Sequence, residues 1–141
     1  ADACTKKWIE TLNIHHFEID SAQKVKYHAG AAIVSNYLVS VLDFGIKQFM
    51  ATGIDEKTAQ KALWPLIEGS LDNVQKQGTQ MALTGPIIRG DVHTLEKHMR
   101  VLEGEMLQLY KQLGLYTLSM THLEHEKAQQ IRTLFEEESH E

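Results

Sequence analysis

Residues 29–42 are apolar nearly all the way round a helix, interrupted only by Ser35, Asn36 and Ser40, and this stretch constrains the fold more than any other. A helix without a wet face is normally a buried helix. Residues 22–50 are therefore expected to form the central pillar of an all-α bundle of five or six helices, with Asp20 or Ser21 capping its start and Gly53 past its end. The polar interruptions argue against a membrane span, and no other run is longer or more apolar. A chain of 141 residues has room for one compact unit. With 43% hydrophobic and 23% charged residues, it falls outside the disordered and fibrous classes. The net charge is -5 and neither sign forms a long block, which argues against a nucleic-acid partner. Cys4 is the sole cysteine, so no internal disulfide can form, as expected of a chain in the reducing cytoplasm.

The flanking segments fall into order around this pillar. Residues 3–12 carry a short amphipathic pattern, and residues 14–19 alternate in part, with Phe17 and Ile19 on one side, as a short strand would. One helix and one strand are not a domain, and the start has neither an initiator Met nor a signal core. Residues 1–19 are thus expected to be the tail of a preceding domain, and residues 20–141 the helical domain proper. Asp55 can cap the next helix, within which Pro65 predicts a kink or break. Residues 78–91 have the Gly, Pro and Asp content of a loop, and helices are expected over 92–102, 105–120 and 124–138, the last with an acidic outer face.

Two features carry chemistry. At about 100° per residue, Lys24, His28, Ser35, Asn36 and Asp43 fall within an arc of roughly 120° on the central helix. A buried polar group without a partner costs about 1–3 kcal/mol, so this line of residues predicts a cleft; for any one of them, a hydrogen bond to a neighbouring helix end accounts equally well. The second is Thr84-Gly85-Pro86-Ile87-Ile88-Arg89-Gly90-Asp91, a loop entering a helix, where free N–H groups and the Arg89 fork could hold a carboxylate or phosphate. The plainer account makes Thr84, Gly85 and Pro86 a turn, Asp91 a cap and Arg89 the partner of a nearby acid. The histidines do not converge in sequence on a three- or four-ligand metal site, so no metal is expected. There is no G-x-G-x-x-G after a strand, no phosphate-binding P-loop and no nucleophile elbow.

The segments Tyr27-His28-Ala29-Gly30-Ala31-Ala32-Ile33-Val34-Ser35-Asn36-Tyr37-Leu38 and Ala82-Leu83-Thr84-Gly85-Pro86-Ile87-Ile88-Arg89-Gly90-Asp91 carry a family resemblance over roughly residues 20–135. They resemble the C-terminal helical domain, of uncharacterised function, that follows a Rossmann-like NAD(P)-binding domain in a group of oxidoreductases. That group is similar in plan to ketopantoate reductase and to the 6-phosphogluconate dehydrogenase C-terminal fold. The resemblance implies the substrate-binding and dimerisation domain of an enzyme acting on a small carbonyl, hydroxy-acid or imine. It also implies that residues 1–19 are the end of that nucleotide-binding domain, and that NADP or NAD would be held by the preceding domain and not by this chain. His28 and Asn36 would be catalytic, and Lys24, Ser35, Thr84 and Arg89 would line the substrate side. The hydroxyacid dehydrogenase relatives place a catalytic Lys four residues before an Asn; here Lys24 is followed four later by His28. The competing expectation is a non-catalytic helical module for dimerisation or partner binding.

Overall fold

A computed structural model describes residues 3–12 and 17–137, and every regular element among them is helical. The helices are α1 (Ala3–Thr11), α2 (Lys24–Ala32), α3 (Leu38–Met50), α4 (Glu56–Met81), α5 (Pro86–Arg89), α6 (Val92–Val101), α7 (Gly104–Ser119) and α8 (His125–Glu136). A π-helical turn, Ile33–Tyr37, joins α2 to α3, so that Lys24–Met50 is one continuous helix. The expected strand over 14–19 lies partly outside the described residues, and Phe17 and Ile19 carry no regular structure. The chain divides into two compact units, Ala1–Gly45 and Ile46–Glu141.

In the first unit, Asp20 accepts a hydrogen bond from the Gln23 N–H (2.8 Å), and the helix proper begins one residue later. Asp20 therefore closes the turn ahead of α2 without being its N-cap, which is Gln23. The helix that follows differs from the sequence expectation in its surroundings. None of its residues is buried within the chain, and Val25, Val34 and Val39 are 76%, 71% and 65% exposed. A helix that is apolar nearly all round must be covered by something, and the described residues of its own unit do not supply the cover. The sequence expectation that no segment could cross a membrane also needs correction. Continuing through to Met50 makes this helix long and apolar enough to do so by length and composition, since 27 residues span roughly 40 Å.

In the second unit, Asp55 caps α4 by accepting the Thr58 N–H at 3.1 Å. The helix runs through Pro65 without a break and breaks instead at Gly78, where φ is 80° and ψ 168°. Proline's fixed φ suits a helix, and the carbonyl it leaves without a donor, that of Lys61, is on an exposed turn; the Gly78 conformation is one that a side chain would resist. Within the expected loop, Pro86 presets a short helical turn, α5, which ends at Gly90 in the left-handed conformation (φ 68°).

The core of this unit is built from Leu95 on α6, Leu118 on α7, and Ile131 and Phe135 on α8. Gly114 lets α7 and α8 approach closely, since a Cβ placed there would lie 2.6 Å from the Phe135 ring. Tyr110 stacks edge-on against the same ring at 6.0 Å and shares a 2.8 Å hydrogen bond with His98, tying α6 to α7. Lys111 is buried and donates to the Glu137 carbonyl at the end of α8 (2.6 Å), placing a cation where the helix dipole favours one. Gly114 thus fills a packing role between α7 and α8. Gly→Ala in an open helix normally stabilises by about 1 kcal/mol. Here Gly114→Ala is expected to destabilise by about 1–3 kcal/mol because it overpacks the Phe135 contact, as measured by urea denaturation.

Candidate functional site

The polar face of the long helix is shaped by its π turn. Lys24 and His28 lie one turn apart on regular α2, while Ser35 and Asn36 lie within the wider turn Ile33–Tyr37. There the helix advances roughly 80° per residue instead of 100°. Counted this way, Lys24, His28, Ser35, Asn36 and Asp43 fall within roughly 80°, a tighter face than a regular helix would give, with Asn36 almost directly above His28 and two turns away. All are exposed within the chain. The Ser35 hydroxyl donates back to the Ala31 carbonyl (2.7 Å), so its proton is directed to its own helix. π turns of this kind gather at functional sites, and their cost is tolerated where a side chain must be re-aimed.

Thr84 and Arg89 belong to the other unit, on either side of the junction that forms α5, and both are exposed. The backbone donors expected to be free there are largely taken. The Gly90 N–H bonds to the Ile87 carbonyl (3.0 Å) and the Asp91 N–H to that of Pro86 (2.9 Å). Asp91 caps α6, accepting from the Thr94 N–H (3.1 Å) and the Thr94 hydroxyl (2.7 Å). These hydrogen bonds, with the nearby charges of Arg89 and His93, hold the Asp91 carboxyl below its ordinary 3.8. The cap account therefore describes Asp91, and anion binding at this junction rests on the Arg89 guanidinium.

A groove of about 570 Å³ between α6 and α8 was not visible in the sequence. Its floor is Val92 and Leu134, and Glu96, Glu126 and Glu137 are among its walls. The acidic residues of the last helix look like a solvated face until contact with α6 turns them into one side of a cleft. Among the described residues, no three His, Cys, Asp or Glu side chains come together as a metal site.

A scan against protein families matches residues 1–117 to the Domain of unknown function (DUF2520). The chain belongs to the DUF2520 family. The match takes in α1 to α6, most of α7 and the whole polar face of the long helix, and it ends before α8. Leu118, Ile131 and Phe135, three of the four core residues of the second unit, thus lie beyond the DUF2520 match. No curated protein and no solved structure matches the chain.

The Asp91 cap gives a pH test. A carboxylate whose folded pKa is depressed stabilises the fold above its unfolded value, and that stability is lost as the pH falls below 3.8 toward the lower folded value. Wild type is expected to melt higher than Asp91→Asn at neutral pH. The gap should close as the pH is taken below 3.8, followed by thermal denaturation at a series of pH values. A pH-independent gap would show that the charge on Asp91 contributes nothing.

Proposed function

We propose that this chain is the helical substrate-binding and dimerisation domain of an NAD(P)-dependent oxidoreductase acting on a small carbonyl, hydroxy-acid or imine. The observation that carries the reading is the polar face of the long helix, drawn together by a π turn at Ser35 and Asn36 on a surface otherwise apolar. It is supported by the resemblance of residues 20–135 to helical domains that follow a Rossmann domain in a plan like that of ketopantoate reductase and 6-phosphogluconate dehydrogenase.

The residues here do not fit the cofactor itself. The described residues form no strand leading into a glycine-rich turn, and the α6 N-terminus is occupied by Asp91. On this reading, cofactor binding belongs to a preceding Rossmann domain, and hydride chemistry to the cofactor. The part left to this chain is to bind and orient the substrate and to move a proton. His28 is the residue best suited to exchange that proton, since it is exposed on the polar face and an imidazole can both accept and donate one. Asn36 stands two turns away, too far to hold the His28 ring directly, so its role is to orient the substrate. Lys24 and Ser35 flank the pair on the same helix; in the other unit, Thr84 and Arg89 carry a hydroxyl and a forked cation of the kind that suits an anionic group.

A second reading, a non-catalytic module for dimerisation or partner binding, is favoured by the exposure of Ile33, Val34 and Tyr37 on the same helix. The two separate on turnover. In the full-length oxidoreductase, His28→Ala is expected to lower kcat by about 10²–10⁴-fold, the usual scale for a general acid or base. Arg89→Ala should chiefly raise KM by weakening uniform binding. Unchanged kcat in the His28→Ala enzyme would overturn the catalytic assignment and leave the module reading.

A further inference from the structure

We propose that the groove between α6 and α8 docks a basic amphipathic helix of a partner protein, an interaction separate from the substrate face of the long helix. Three observations lead there. The floor of the groove is apolar, Val92 and Leu134, and both remain partly open to solvent. Its walls carry Glu96, Glu126 and Glu137, while none of its lining residues is Lys or Arg. Glu126 and Glu137 are eleven residues apart on α8 and its cap, so they share a face three turns apart, roughly 16 Å along the axis.

The charges around the groove leave these carboxylates available. Arg132 pairs with Glu136 on the same helix (3.8 Å), and the His93 ring lies 3.8 Å from Glu96. The Glu126 and Glu137 carboxylates form no ion pair with Lys or Arg among the described residues, the Lys111 ammonium being spent on the Glu137 backbone carbonyl (2.6 Å). A row of carboxylates three turns long beside an apolar strip is complementary to a helix with leucines on one face and lysines or arginines beside them. The net charge of -5 favours such a partner at long range. The surface is formed largely by α8, which lies outside the DUF2520 match.

The test uses the whole chain and a fluorescein-labelled peptide of about 14 residues, long enough as a helix to span both carboxylates, with leucine on one face and lysine on the flanks. Anisotropy titration should show saturable binding that weakens as salt is raised. The double variant E126Q/E137Q should bind at least about tenfold more weakly, the scale of losing one or two charge-assisted contacts. E10Q/E68Q, which removes the same charge elsewhere, should bind as wild type does, with circular dichroism checking that both variants remain helical. Equal binding by wild type and E126Q/E137Q, or an equal loss in E10Q/E68Q, would overturn the proposal. So would equal binding of a scrambled peptide of the same composition. Spermidine displacing the peptide at matched concentration would also overturn it, because the groove would then take a small polyamine.

Discussion

The long helix Lys24–Met50 has more apolar surface than the described residues of the first unit cover, and the proposed role of the domain depends on that imbalance. Burying a large aliphatic or aromatic side chain is worth about 1.5–3 kcal/mol. Val25, Ile33, Val34, Tyr37, Val39 and Phe49 are all exposed. Covering even half a dozen such side chains would yield on the order of 10 kcal/mol, which is comparable with the roughly 4–15 kcal/mol that association costs. A face of this kind favours a partner. Asn36 near the middle of the helix and Asp43 two turns from its end make a uniform lipid environment a poor cover, because polar and ionisable groups inside a membrane are expensive. Protein surface can satisfy both faces, apolar against apolar, with the polar line left to a cleft.

The second unit follows the opposite rule. Its core of Leu95, Leu118, Ile131 and Phe135 is closed within the chain, and it closes because Gly114 lets the Phe135 ring approach α7. Buried Lys111 finds a backbone carbonyl at the end of α8. Thus one part of the molecule is self-sufficient in packing, while the other carries its most apolar helix uncovered. That division matches the proposed work of the domain, in which the long helix is shared with neighbours.

Much of the helical order was legible in the sequence because caps and stops are local chemistry. Asp55 and Asp91 cap as their side chains predict, and Gly53 and Gly90 sit at helix ends with positive φ. The break in α4 is less legible, since Pro65 and Gly78 both signal one and only the Gly78 backbone leaves the helical region. The π turn has no sequence signature. It adds no cap and breaks no pattern, yet it moves Ser35 and Asn36 around the helix by most of a residue's rotation. Burial was the least legible property of all. Apolar composition says that residues 29–42 need cover, but it cannot say whether the cover comes from the same chain. The α6–α8 groove was hidden for the same reason, because it depends on how two helices meet.

Sedimentation equilibrium of the chain at tens of micromolar, without detergent, tests most directly whether the long helix is an interface between protein surfaces. A second copy is the cover available in such a sample, so the account predicts a mass twice the 16.0 kDa of one chain. A mass of 16.0 kDa under those conditions would contradict it, because the apolar face would then be stable in water with nothing upon it.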